Sequence, residues 1–230
     1  STRAALKRHG RIEGIRVDPG SGSSYSVVLA PEGFDRIFLH CQGPNDEFTH
    51  RDVDWGLVRR ARLFHFGYPT LMRAFSVKRD ETAKLMGAAK AAGATTSLDL
   101  SLPDPSSEAG KADWRAIFKL ALPHVDVFLP SLEEAFFCMH PAEYTRRKAK
   151  HKGAELLDHI AAAEVRALGK DFLGMGCGVA VIKCGYNGWY VRTAGEARLA
   201  RLGRALPQEL SPWADREYWC PAFRVKKIAS

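Results

Sequence analysis

Val125-Asp-Val-Phe-Leu-Pro-Ser-Leu-Glu-Glu134 and, farther on, Gly178-Val-Ala-Val-Ile-Lys-Cys-Gly-Tyr-Asn-Gly188 decide the reading of the fold. The first opens as a short apolar strand, Val125–Leu129, and stops at Pro130, which cannot donate to a sheet ladder. A helix is expected from Leu132 to Cys138. The second is a strand, Gly178–Lys183, with Gly188–Arg192 returning as a hairpin. Upstream, Thr95–Leu100 and Ala61–Phe66 read as two more short strands. Between them lies a helix from Arg79 to Ala92, rich in Ala, Lys, Leu and Met and stopped by Gly93. Asp54 is placed to cap a helix running to Arg60, and Trp114–Leu122 is helical. Downstream, a polar, basic stretch from Tyr144 to Lys152 leads into an amphipathic helix, Ala154–Leu168. Residues 195–217 read as a loop-rich excursion. Short apolar strands alternating with helices predict an α/β fold with a mostly parallel sheet. Ligands bind such sheets beyond the carboxyl ends of the strands. Those ends carry Gly67-Tyr-Pro69, Asp99–Asp104, Pro130–Glu134 and Lys183–Gly188.

The first fifty residues have another rhythm. A helix, Ala4–His9, closes on Gly10, and Ile12–Val17 alternates like a strand. Tyr25–Ala30 and Arg36–His40 read as an antiparallel pair turned at Pro31-Glu-Gly33. Gly43-Pro-Asn-Asp46 follows as a loop. The expected division is therefore residues 1–50, a partial helix and small antiparallel β unit, and residues 51–230, the α/β core.

Length and composition agree with a globular chain. The 230 residues are enough to bury a core. Lys plus Arg number 34 against 26 Asp plus Glu, a net charge of +8. The basic residues are scattered with no recognition motif, which argues against a nucleic-acid partner. No apolar run is long enough to span a bilayer, and the start has no signal-peptide core. Five cysteines, Cys41, Cys138, Cys177, Cys184 and Cys220, make no CxxC pair; a reducing, cytoplasmic setting is expected.

The order of four features resembles the ribokinase-like (PfkB-type) carbohydrate kinases. The antiparallel unit precedes the α/β part as that family's substrate lid does, and Gly43-Pro-Asn45 resembles its Gly-Ala-Asn turn. Pro130-Ser-Leu-Glu-Glu134 resembles its Pro-Asn-x-x-Glu motif. Val181-Ile-Lys-Cys-Gly-Tyr-Asn-Gly188 resembles its strand and Gly-x-x-Gly turn. Tyr218-Trp-Cys-Pro-Ala-Phe-Arg-Val225 resembles the strand leading to its Gly-Ala-Gly-Asp segment.

The resemblance implies transfer of a phosphoryl group from ATP to a hydroxyl of a sugar or nucleoside. Such transfer needs positioning and charge neutralisation. Glu134 would organise Mg²⁺ through water, and Ser131, Lys183, Gly185 and Gly188 would lie beside the nucleotide phosphates. Asn45, Gly67, Tyr68 and Asp99 would face the substrate. Ser131 stands where the family usually has Asn, and Ser101 and Pro103 depart from its Asp-x-Asn-x-Arg segment. Each residue also has a simpler reading: Glu134 complements a helix dipole, Lys183 reaches solvent, and the two glycines serve a hairpin. The family's sugar-gripping strand would precede Ser1, and its catalytic base would follow Ser230. The 230 residues alone are therefore expected to be inactive, with a homodimer formed through the lid. The alternative is a non-catalytic binding or dimerisation module on the same fold.

Overall fold

The computed structural model describes residues 2–10, 12–31, 37–151 and 156–223. After a short helix, α1 (Thr2–Lys7), strands β1 (Tyr25–Leu29) and β2 (Ile37–Cys41) pair antiparallel, with Val27 opposite Leu39 and Leu29 opposite Ile37. The alternating stretch Ile12–Val17 is not a strand. The Ile15 N–H closes a turn on the Ile12 carbonyl at 3.0 Å, and no described strand lies alongside it. Alternation without a neighbouring edge to pair with does not hold a strand.

Among the described residues, six strands form the main sheet in chain order. They are β3 (Leu63–Phe66), β4 (Thr95–Leu98), β5 (Val127–Phe128), β6 (Val179–Lys183), β7 (Trp189–Thr193) and β8 (Glu217–Cys220). β3 to β6 run parallel, and β7 and β8 are added antiparallel. The helices are α2 (Trp55–Arg60), α3 (Arg73–Val77), α4 (Glu81–Ala91), α5 (Glu108–Lys111), α6 (Trp114–Ala121), α7 (Leu132–Met139), α8 (Pro141–Lys150), α9 (Ala162–Gly174) and α10 (Glu196–Leu199).

Local chemistry starts several of these helices. Asp54, Ser107 and Asp113 each accept a backbone N–H of the first turn of α2, α5 and α6, leaving fewer orphan donors there. Gly93, at φ +84°, follows α4 in a conformation a side chain rarely adopts. Two expected boundaries are corrected. The polar stretch is helical from Tyr144 through Lys150 as part of α8, which begins at Pro141. The next long helix starts at Ala162 rather than Ala154, after a single 3-10 turn over Leu156–His159. The Glu164 carboxylate accepts the Ala161 N–H at 2.9 Å and so satisfies one donor at the true start. Most of the Pro31-Glu-Gly33 turn, residues 154 and 155, and the last two residues of the Tyr218–Val225 stretch lie outside the described residues.

The core gathers between sheet and helices. Phe128 of β5 meets Phe118 of α6 and Phe172 of α9 edge-on, at 5.2 and 4.9 Å between ring centroids, the arrangement aromatic quadrupoles favour. α4 packs on α6, α6 on α7 and α7 on α9. At the amino end of β5, Asp126 is fully buried. Its carboxylate takes Lys90 of α4 at 2.5 and 2.6 Å, Arg198 of α10 at 3.1 Å and the Thr96 N–H at 3.0 Å. Three elements distant in sequence are tied there, at the edge opposite the candidate site. No described helix is long and apolar enough to cross a membrane.

Candidate active site

The carboxyl ends of β4, β5 and β6 lie side by side because their registers pair Leu98 with Phe128 and Phe128 with Ala180. Each strand then releases one polar residue at the same edge. β4 gives Asp99, β5 gives Ser131 after Pro130, and β6 ends on Lys183. Ser131 forms a parallel bridge to Lys183, and the Lys183 N–H bonds the Pro130 carbonyl at 2.9 Å.

The Lys183 ammonium reaches across β5 to Asp99, at 2.7 and 2.8 Å from its two carboxylate oxygens. One of those oxygens also accepts the Leu100 N–H at 2.8 Å. Lys183 was expected among the phosphates and Asp99 at the substrate; the fold joins them as a chelated ion pair. Such charge-assisted contacts are stronger than neutral ones.

Ser131 and Glu134 form a reciprocal cap at the start of α7. The Ser131 N–H donates to one Glu134 oxygen at 2.6 Å, and the Glu134 N–H donates to the Ser131 hydroxyl at 3.3 Å. This is the capping-box arrangement. The other Glu134 oxygen has no hydrogen-bond partner among the described residues. Burial pushes the Glu134 carboxyl above the usual range, against the Ser131 hydrogen bonds and the nearby Lys183 charge. A part-buried carboxylate near Lys183 and Asp99 suits a hydrated divalent cation, which takes few direct carboxylates. The Ser131 hydroxyl proton is still available to an anionic oxygen, since in the cap it only accepts.

The two glycines are explained by the chain itself. Gly185 lies at φ +53° and Gly188 at φ +88°. A Cβ on Gly188 would stand 2.0 Å from the Cys220 carbonyl oxygen. The approach of β8 therefore already demands glycine at 188, whether or not a ligand also comes close. The Cys184 N–H and the Gly188 carbonyl close this turn at 2.7 Å.

Of the expected substrate residues, Gly67 and Tyr68 reach the site and Asn45 does not. The Tyr68 N–H bonds the Asp99 carbonyl at 3.3 Å, and Tyr68 itself sits at φ 64°. A non-glycine residue there is uncommon and costs on the order of 1 kcal/mol or more. Asn45 donates to the Ser24 hydroxyl at 3.1 Å and borders a separate hollow with Arg16, Asp18 and Phe48. Thr70 escaped the sequence reading. Its hydroxyl is 2.7 Å from both the backbone carbonyl and the hydroxyl of Ser101 and clasps the loop after β3 to the loop after β4. Its only signal was its position directly after the Gly67-Tyr-Pro69 turn. Thr70 also borders a cavity of about 470 Å³ walled by Phe38, His40 and Gln42 on one side and by Arg73, Pro103 and Ser107 on the other.

No family model matches the sequence. Two plant proteins do. The chain is 27% identical over 215 residues to probable fructokinase-6, chloroplastic, of Arabidopsis thaliana, covering 89% of this chain and 53% of that protein. It is 33% identical over 114 residues to fructokinase-2 of Zea mays, covering 47% of this chain and 33% of that protein. The chain thus spans about half the length of the former and a third of the latter. Among solved structures, a PfkB protein from Polaromonas superposes with a TM-score of 0.62 at 18% identity, over 97% of this chain and 62% of that one. A fructokinase with bound ATP from Xylella fastidiosa gives 0.58 at 17% identity, over 83% and 52%. These likenesses show a shared fold.

Proposed function

We propose that the chain is part of a ribokinase-like, PfkB-type carbohydrate kinase and that the protein carrying it phosphorylates a hydroxyl of a small sugar or nucleoside with MgATP. The observation that supports this most is the convergence of Asp99, Ser131, Glu134 and Lys183 at the carboxyl ends of three adjacent parallel strands. Phosphoryl transfer requires mainly positioning and neutralisation of charge. In this reading, Lys183 holds a positive charge where phosphate oxygens would lie, anchored by Asp99. Ser131 donates its hydroxyl to one such oxygen. Glu134 orients the waters of a magnesium ion, which when bound would neutralise phosphate charge. Gly67 and Tyr68 shape the floor beneath the substrate. Both oxygens of Asp99 are engaged by Lys183, so removal of the hydroxyl proton is assigned to a group outside this cluster.

The names of the plant relatives make fructose the first acceptor to test. Full-length protein should release ADP from MgATP with fructose, or with one of ribose, glucose and adenosine, at about 1–100 s⁻¹. Background ADP release with every acceptor, from protein shown to be folded, would overturn the kinase reading. That result would favour the non-catalytic module, which the departures from the family pattern at Ser131 and Pro103 support.

The antiparallel unit is proposed as a lid and as the contact between two copies. Tyr25, Val27, Leu29, Ile37 and Leu39 share one face of β1 and β2, each between 46% and 61% exposed. A two-stranded sheet with a bare apolar face is marginal alone, and a second copy offers a matching face. Sedimentation is expected to report a dimer that Leu39→Glu converts to monomer. A monomeric wild type at high concentration would remove this proposal.

A further inference from the structure

The geometry points to a second anion site, for a phosphorylated small molecule, in the cavity between the carboxyl end of α8 and the 3-10 turn Leu156–His159. The cavity is about 490 Å³, enough for a pyrophosphate or a sugar phosphate. Its wall carries Arg146, Arg147, Lys150, His151 and His159. The two imidazoles stack with centroids 3.7 Å apart and planes 17° from parallel.

What makes this a site rather than a basic surface is the mismatch between its acids and its donors. Both acids of the wall among the described residues are engaged. Glu164 takes Arg147 at 2.7 and 3.2 Å and the Ala161 N–H at 2.9 Å. Asp158 takes the Tyr186 hydroxyl. Just outside, Glu143 takes Arg146 at 2.7 and 2.8 Å and Arg147 at 2.6 Å. The donors are not used up. Among the described residues Lys150 has no ion pair, and neither imidazole has a hydrogen-bond partner. Arg147 is held rigidly, since it also donates to the His159 carbonyl at 2.8 Å. An ammonium and two imidazoles backed by fixed guanidinium groups match the acceptor oxygens of a phosphate. Burial and the neighbouring His159, Lys150 and Arg147 charges hold the His151 ring below its usual pKa, a cost that an arriving anion would relieve.

This cavity is not the cluster at Lys183, but the two share a wall. A Cβ on Gly185 would stand 3.1 Å from Leu157 on the same 3-10 turn, and Asp158 holds Tyr186 in the Gly185–Gly188 turn.

The test is a calorimetric titration of the full-length protein with pyrophosphate, without magnesium and at low salt, followed in parallel by the histidine ring proton resonances. Saturable binding that shifts two histidine rings is expected. Lys150→Glu should weaken it at least tenfold, while Lys183→Ala should change it less than twofold. Lys150 is exposed at a helix end, so folding should survive; Lys150→Ala, expected to weaken binding by a smaller factor, guards against an indirect effect of the new acid. Absence of saturable binding would overturn the site, as would equal affinity in both Lys150 variants. Loss of binding in Lys183→Ala alone would overturn it too, by assigning the pyrophosphate to the candidate active site. The readout is binding, so the result stands apart from whether the protein is a kinase.

Discussion

Asp126→Asn is expected to lower the free energy of unfolding by about 3–5 kcal/mol, the range for removing one partner of a buried charge pair. Asp126 is fully buried and receives both Lys90 and Arg198. An asparagine keeps the size and one acceptor oxygen but loses the charge that compensates two cations. Lys90 can partly escape, because its side chain is 23% exposed; burial already pulls its ammonium pKa down, and Asp126 opposes that pull. Arg198 cannot. Its guanidinium also donates to the Gly176 carbonyl at 2.9 Å and the Val125 carbonyl at 2.9 Å, which pin it beside the vacated charge. Urea unfolding measures the effect, with Asp113→Asn as the comparison. That residue caps α6 from the surface, and asparagine caps about as well as aspartate, so its change should be a few tenths of a kcal/mol. A loss below about 1 kcal/mol for Asp126→Asn would mean that the buried charge is not compensated as the geometry indicates.

Lys183→Met is expected to lower kcat/KM for the proposed phosphoryl transfer about 10²-fold, as removal of one preorganised electrostatic contact does elsewhere. The substitution acts twice. It removes the positive charge from the edge where phosphate oxygens would lie. It also leaves Asp99, 9% exposed, with only the Leu100 N–H, an unpaired carboxylate that would repel those oxygens. Asp99→Asn separates the two effects, because it frees Lys183 without removing it. If Lys183 acts through its own charge, the double variant should resemble Lys183→Met in activity and recover part of its stability. Wild-type kcat/KM in Lys183→Met would end the assignment of Lys183 to the site. A loss confined to stability, with activity intact in the folded fraction, would reduce the pair to a strut between β4 and β6.

Much of the core was legible because its signals are local. Asp54 caps α2 as expected, Gly93 stops α4, and the strands β3 and β5 fall where short apolar runs end on Gly67 and Pro130. Ser131 and Glu134 stand at the spacing a reciprocal cap needs, but the sequence placed them only beside phosphate and magnesium, and the cap itself was not expected. Ile12–Val17 misled for the converse reason: its alternation is local, but a strand also needs a partner, which lies outside any local window. The start of α9 was missed because the apolar spacing from Ala154 continues through Leu156 and Leu157, which pack through a single 3-10 turn instead.

At the candidate site, the sequence by itself determined which residues stand at strand ends, namely Asp99, Ser131 with Glu134, and Lys183. It could not say that Lys183 closes on Asp99, 84 residues away. That pairing depends on sheet order and register: β5 lies between β4 and β6, and all three end at one edge. The same holds for Asp126, whose partners come from α4 and α10 and whose own neighbours give no sign that it is buried. Local periodicity encodes which face of an element is apolar. Which distant charge meets which is settled only when the strands align, because desolvation makes an unpaired buried charge costly wherever the packing brings it.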